Sequence, residues 1–107
     1  MTKNKMTSFG EFIRKLREKE GLPLRKIAAQ LDIDPSLLGK IERNERQPTK
    51  EIISGIAKIF KQDEKLLRME FISDLIAYKI LDEEADIDTL KVAEKKVQYL
   101  KVARKNK

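Results

Sequence analysis

Apolar residues recur every three or four positions along most of this chain, which is the spacing of amphipathic helices. Five such stretches follow one another within the first 81 residues, separated by short links of polar and turn-forming residues. A sixth stretch follows an acidic break and continues to about Ala103. The pattern predicts an all-α fold of five helices with an additional C-terminal helix.

The ends of these stretches carry residues that start or stop a helix. Four side chains have the type and position of N-terminal caps, namely Ser8 (in a capping box with Glu11), Asp34, Thr49 and Asp63. Gly21 and Asn44 suit a left-handed exit after the first and third helices. Pro23 fits the first turn of the second helix, and Asp86 or Asp88 could cap the sixth.

The segment from Leu24 to Arg43 has the pattern of a helix-turn-helix. Its first helix places four apolar residues on one face, and a tight turn follows at Asp32. Asp34 is then a good N-cap, and Pro35 suits the first position of the next helix because its missing N–H needs no partner there. Two short helices in this arrangement project the outer face of the second one, in the geometry that enters a DNA major groove.

The fifth predicted helix is apolar on more than one face between Leu66 and Leu81. A helix that is apolar nearly all round is buried nearly all round, and a small domain cannot cover it alone. We expect the sixth helix and a second copy of the chain to cover it, which predicts a homodimer. The predicted dimer interface consists of Phe71, Leu75, Tyr78, Val97 and Leu100. The alternative is that the sixth helix folds back within one monomer.

Charge is distributed unevenly along the chain. Residues 1–62 hold 14 Lys and Arg against 8 Asp and Glu, a net charge of +6, whereas residues 63–107 hold 10 of each. The whole excess therefore lies on the half that carries the helix-turn-helix, as expected of a protein that binds DNA. The alternative is that the charge only keeps a small protein soluble.

Composition argues against other functional classes. The chain has no cysteine and no histidine, so thiolate metal sites and the commonest general base are missing. We expect no enzymatic activity, no metal and no cofactor. The sequence has no apolar run of about 18 residues and no signal-peptide pattern, so we expect a cytoplasmic protein that does not bind membranes.

Residues 9–67 resemble the XRE-type family of helix-turn-helix proteins, which are related to the Cro and lambda repressors. The matching positions are Leu16, Arg17, Ile27, Ala28, Leu31, Ile33, Leu38, Ile41, Glu42, Arg43 and Pro48. The resemblance implies a lambda-repressor-like DNA-binding domain over residues 8–67, followed by a helical extension over 68–104 that we expect to dimerise. In overall style the chain looks like the small regulators found beside restriction-modification genes.

The chain departs from the family pattern at three places. Asp32 and Asn44 stand where relatives often have glycine, and both residue types tolerate positive φ. Pro23 and Leu24 stand where relatives often have Ser-Gln. Because Leu24 cannot form a hydrogen bond, the phosphate contact of that glutamine is not expected here.

The resemblance implies that Pro35, Ser36 and Lys40 meet base edges. A lysine can donate to guanine O6 and N7, a pairing worth about 1–3 kcal/mol of discrimination. Helical geometry adds Leu37, as a partner for a thymine methyl, and Gly39, where a missing side chain could allow close approach to DNA. The alternatives are a solvated face for Ser36 and Lys40, and packing against a neighbouring loop for Leu37.

Phosphate contacts are expected from the loop after the third helix, where the resemblance places Arg43, Arg46 and Gln47. Arg25 is a weaker candidate of the same kind. The resemblance also implies an ion pair between Arg17 and Glu42, in which Arg17 could additionally reach a phosphate. Ordinary surface charge is the alternative for the loop residues.

Together these features predict a sequence-specific DNA-binding transcriptional regulator. It would be a homodimer that reads a near-palindromic operator in double-stranded DNA, with residues 35–43 in the major groove. The alternative is an antitoxin-like or adaptor module that docks an unknown protein partner through the apolar helix over residues 66–81.

Overall fold

The computed structural model of the protein describes residues 8–105, and this part of the chain forms six α-helices and no strand. The helices are α1 (Phe9–Lys19), α2 (Leu24–Leu31), α3 (Pro35–Glu42), α4 (Lys50–Ile59), α5 (Glu64–Asp82) and α6 (Asp88–Lys105). The chain divides into two compact units, of which the first ends at Asp74 and the second begins at Leu75. The predicted all-α class is confirmed.

The first unit has one hydrophobic core. Its buried side chains come from α1 to α4, from the C-cap residue of α4 and from the first turn of α5. They are Phe9, Ile13, Ile27, Ala28, Leu38, Ile41, Ile52, Ile53, Ile56, Ala57, Phe60 and Leu67. Each helix contributes the apolar stripe that its 3.6-residue period places on one face. The core therefore holds α2 and α3 in a fixed relative orientation.

Most helix ends follow the sequence signals. Ser8 and Glu11 form the complete capping box, and the side chains of Thr49 and Asp63 accept from Ile52 N and Leu66 N at 3.1 Å each. Gly21 and Asn44 adopt the expected left-handed conformation, with φ of 66° and 63°. One detail differs, because Pro23 is the N-cap of α2 and offers no side-chain cap.

Helices α1 and α3 approach closely at Gly10. A Cβ on Gly10 would lie 2.5 Å from the carbonyl oxygens of Ile41 and Glu42, which no side chain tolerates. Asn44 joins the same two helices, since its Oδ1 accepts from Gly10 N at 3.0 Å and its Nδ2 donates to Ser8 Oγ at 2.8 Å. The end of α3 is thereby attached to the start of α1.

The first unit extends further along α5 than predicted. Phe71 packs edge-on against Phe9, with ring centroids 5.4 Å apart, and the Asp74 carboxylate accepts from Phe9 N at 2.7 Å. The first unit ends at Asp74, so the predicted domain, which ends at residue 67, lies within it. Phe71, one of the predicted dimer-interface residues, is half-buried and packs against the core of the first unit.

The second unit contains the end of α5 and all of α6, and no residue of α6 is buried. Its apolar side chains are largely exposed, and the most exposed are Leu81, Ile87, Val92, Val97, Tyr99, Leu100 and Val102. The expected all-round burial of α5 is therefore absent in a single chain, in which Leu67 is its only buried residue.

Candidate nucleic-acid interface

A left-handed residue makes the turn between α2 and α3. Asp32 has φ 58° and ψ 44°, and the N–H groups of Asp32 and Ile33 donate to the carbonyls of Ala29 and Ala28 at 3.1 and 3.0 Å. Aspartate is among the few residues that adopt this conformation without large strain. The helix-turn-helix therefore forms without the usual glycine.

The start of α3 is held by Asp34 and Ser36. One carboxylate oxygen of Asp34 accepts from both the backbone N and the Oγ of Ser36, at 2.8 Å each. The hydrogen bond from the hydroxyl, and next that from the backbone, keep the pKa of Asp34 below its ordinary value. The Ser36 hydroxyl retains its lone pairs for an incoming donor, but it must rotate before it can donate to a base.

The outer face of α3 is smaller than the helical pattern suggested. Pro35, Ser36 and Lys40 are exposed. Leu37 is half-buried and packs against the core, so only part of its side chain is accessible to a thymine methyl. Gly39 is buried, and the place of its missing Cβ lies 3.3 Å from Arg43 Nη1 and 3.6 Å from Leu24 Cδ2. These two side chains border the space that Gly39 leaves.

Arg17 and Glu42 form a buried ion pair between α1 and α3. Arg17 Nε and Nη2 donate to the two Glu42 carboxylate oxygens at 2.8 and 3.0 Å, and Nη1 donates to Leu22 O at 2.9 Å. The hydrogen bond with Glu42 raises the pKa of Arg17. Each guanidinium nitrogen makes a hydrogen bond within the protein and only 14% of the side chain is exposed, so the geometry gives no support to the expected phosphate contact of Arg17.

The loop after α3 contains a second, exposed ion pair. Arg43 Nε and Nη2 donate to the Glu45 carboxylate at 3.1 and 3.2 Å. Glu45 is the residue at this surface that sequence reasoning missed. The sequence places Glu45 two residues after Arg43, but it does not indicate an ion pair between them. The left-handed turn at Asn44 brings the two side chains together.

The other predicted phosphate contacts lie free on the surface. Arg25, Arg46 and Gln47 are exposed. Within residues 8–105, Arg25, Lys40 and Arg46 form no ion pair. Their charges are therefore available to an anionic partner.

The remaining candidates lie in the second unit. Tyr78, Val97 and Leu100 are exposed, and Leu75 is half-buried. None of the helices in residues 8–105 has an apolar stretch long enough to cross a bilayer.

Comparison with known proteins identifies the family. A family model described as helix-turn-helix matches residues 13–67. The restriction-modification controller protein C.AhdI from Aeromonas hydrophila is 29% identical, with a TM-score of 0.51, over 55% of this chain and 89% of that protein. The fold is also similar to that of the clp gene regulator ClgR from Corynebacterium glutamicum, which is 21% identical, with a TM-score of 0.54, over 80% of this chain and 86% of that protein.

No curated protein sequence matches the chain. The family match covers more than half of the residues and includes both helices of the motif and the core that orients them. The chain therefore belongs to the XRE-type helix-turn-helix family of DNA-binding transcriptional regulators.

Proposed function

We propose that this protein is a homodimeric, sequence-specific transcriptional regulator that inserts α3 into the major groove of its operator. The observation that carries this proposal is the exposed face of α3, on which Ser36 and Lys40 lie one helical turn apart. Lys40 forms no ion pair within residues 8–105. The buried ion pair and the core anchor the opposite side of α3, so this face is presented on a rigid support. Rigid presentation suits direct reading of base edges.

In this proposal, polar and cationic side chains beside this face contact the phosphate backbone of the DNA. Arg25 lies in the first turn of α2, and Arg46 and Gln47 lie in the loop after α3. Contacts of this kind set the register and orientation on the duplex but carry no sequence information. Each one releases counterions, so affinity should fall steeply as salt is raised.

The homodimer is proposed because the second unit leaves apolar side chains uncovered. Exposed apolar residues that together form a large patch mark an interaction site. Two copies related by a twofold axis would place their α3 helices in successive major grooves, with half-sites about 34 Å apart. The operator would then be near-palindromic. Leu75, Tyr78, Val97 and Leu100 are the interface residues we retain.

The test begins with selection of bound sequences from a random duplex pool, followed by titration on the selected and a scrambled duplex. We expect Lys40→Ala to reduce discrimination at one base step, whereas Arg46→Ala weakens binding to both duplexes alike. Lys58→Ala removes the same charge from the exposed end of α4 and serves as control. Equal effects of Lys40→Ala and Arg46→Ala on both duplexes would contradict the assignment.

A protein-docking role is the second candidate, because Leu66, Met69 and Leu81 of α5 are more than half exposed. In that case the apolar surface would bind a different protein, as in an antitoxin or adaptor. Light scattering of the pure protein separates the two roles. A stable dimer favours the regulator, whereas aggregation that is relieved by a co-expressed partner favours docking.

A further inference from the structure

The side chain of Arg43 lies on α3 itself and does not extend into the loop. Arg43 is the C-cap of α3, and helical side chains point back towards the N-terminus. Its Nη1 lies 3.3 Å from the place where a Cβ of Gly39 would be. The guanidinium therefore lies beside Gly39. Gly39 precedes Lys40 in the sequence and is about one helical turn from Ser36.

Glu45 holds this guanidinium along one edge. The edge formed by Nε and Nη2 donates to the carboxylate, while Nη1 and the second hydrogen of Nη2 face away from it. An arginine has five N–H donors in a rigid fork, and the Arg43 side chain is 58% exposed, so the end-on edge formed by Nη1 and Nη2 can make two parallel hydrogen bonds.

The position of Glu45 is itself defined by the end of α3. Its backbone N–H donates to Lys40 O at 2.8 Å, and Asn44 before it is left-handed. The hydrogen bond from Arg43, and to a smaller extent the charge of Lys40, lower the pKa of the Glu45 carboxyl. Glu45 is therefore a carboxylate on the same surface as the two cations.

We propose, on the basis of the function above, that Glu45 is a positioning residue that holds Arg43 over Gly39 so that its free edge reads one guanine in the major groove. Guanine offers O6 and N7 as a pair of acceptors that matches a guanidinium edge. Arg43 thereby changes from an expected phosphate contact to a base reader.

The ion pair between Arg43 and Glu45 also affects the affinity for DNA that lacks the operator sequence. Arg43 and Glu45 together carry no net charge, so the pair adds little to sequence-independent attraction. Removal of the carboxylate charge would free one cation for phosphates. Each additional phosphate contact steepens the dependence of log K on log salt by about 0.9, which corresponds to about 8-fold tighter binding at 0.1 M salt.

The experiment compares Glu45→Gln, Arg43→Ala and the double variant with the wild type. Base preference at every position is measured by selection from the random duplex pool, and affinity for a scrambled duplex by titration. Glu18→Gln is the matched control, because Arg14 and Glu18 form an ion pair of the same length, 3.1 Å, with side-chain exposure of 57% and 54% against 58% and 54% for Arg43 and Glu45. Circular dichroism checks that each variant is folded.

We expect Arg43→Ala to reduce the preference for guanine at one position by about 5- to 150-fold, the range of one bidentate contact. Glu45→Gln should weaken the same preference while it tightens binding to the scrambled duplex about 8-fold. Once Arg43 is alanine, Glu45→Gln should no longer change any base preference. Glu18→Gln should leave base preferences as in the wild type.

Two results would overturn this inference while the proposed function survives. One is an unchanged base preference in Glu45→Gln, and the other is an equal loss of affinity for all duplexes in Arg43→Ala. A wild-type protein that selects no sequence at all would overturn the proposed function and this inference with it.

Discussion

Individual side chains on α3 divide into those that support the helix and those that remain free. Glu42 is the only buried charged residue of the described chain, with its side chain 5% exposed, and its partner Arg17 is 14% exposed. Both side chains are largely buried and bonded to each other, so neither is well placed to contact DNA. Two residues before Glu42, Lys40 has no ionic partner within residues 8–105. Because two residues span about 200° of an α-helix, Glu42 faces the protein while Lys40 faces outward.

Glu42→Gln should destabilise the first unit by up to about 3 kcal/mol, the lower end of the range for a fully buried pair, because it leaves the largely buried Arg17 charge without its counter-charge. Urea unfolding followed by circular dichroism measures the change. Glu18→Gln, which breaks an exposed pair, should have little effect. Equal stability of wild type and Glu42→Gln would show that the buried pair does not hold α1 to α3.

Asp34 makes the stability of the folded first unit depend on pH. Its pKa is lowered in the folded protein by the hydrogen bonds from Ser36, so its stabilising effect is complete above the unfolded pKa of about 3.9 and is lost as the pH falls through the lower folded value. We expect Asp34→Asn, which retains a capping oxygen, to be less stable than wild type at pH 6. The difference in melting temperature should shrink below pH 4.

Asp32→Asn is the control for this titration, because asparagine also adopts the left-handed conformation and Asp32 makes no side-chain cap. A melting-temperature difference between Asp34→Asn and wild type that stays constant from pH 6 to pH 2 would argue against a role for the Asp34 charge.

At the scale of helices, two glycines of the first unit have different neighbours. Gly10 faces backbone carbonyls at the crossing of α1 and α3, whereas Gly39 faces the ends of two side chains. Backbone atoms cannot move aside without shifting a whole helix, but the end of an exposed arginine can. The two glycines should therefore respond differently to the same substitution.

Gly10→Ala should destabilise the first unit by about 1–3 kcal/mol or more, because the added methyl overlaps the carbonyl oxygens of Ile41 and Glu42. The measurement is the midpoint of thermal or urea unfolding. A variant as stable as wild type would mean that α1 and α3 can separate at no cost.

Gly39→Ala should instead stabilise α3 by up to about 1 kcal/mol, because alanine is the better helix former. The methyl would lie 3.3 Å from Arg43 Nη1, so the guanidinium must shift by a few tenths of an ångström, and we expect the guanine preference attributed to Arg43 to weaken. Unfolding and base selection on the same preparation test both parts. Gain of stability with unchanged base preference would show that Arg43 does not read DNA from above Gly39.

At the scale of the whole molecule, the second unit has no core of its own among the described residues. Leu81 is 72% exposed, and α6 buries nothing. In proteins, most of the stability of a helix comes from tertiary packing of its apolar face. A second copy of the chain is the partner we propose.

Leu100→Asp should weaken the dimer about 10- to 100-fold, because burial of a leucine side chain is worth about 1.5–3 kcal/mol. Lys101→Asp introduces the same residue at the next position and should have a smaller effect. Sedimentation over a range of concentrations gives the dissociation constants. If Leu100→Asp dimerises as tightly as wild type, α6 does not form the interface.

Local signals explain what could be predicted. The capping box at Ser8, the caps at Thr49 and Asp63, and the left-handed residues at Gly21 and Asn44 all act within one turn of chain, and the structure contains each of them. The family pattern depends on the same short spacings. These interactions were predictable because both partners are close in sequence.

Contacts between distant residues explain what could not be predicted. Phe71 meets Phe9 and Asp74 caps α1, so α5 contributes to the first unit beyond residue 67. The spacing of apolar residues in α3 did not indicate that Leu37 packs against the core. No local spacing specifies which helix faces which residue.

The sequence by itself determined the six helices, their ends, the helix-turn-helix and the location of the excess positive charge, because propensity, capping and periodicity are properties of neighbouring residues. The folded chain was needed to show that Arg17 pairs with Glu42, that Arg43 Nη1 lies beside Gly39, and that Arg43 pairs with Glu45. Those arrangements depend on how the helices pack and where the chain turns at Asn44, and packing joins side chains that the linear order keeps apart.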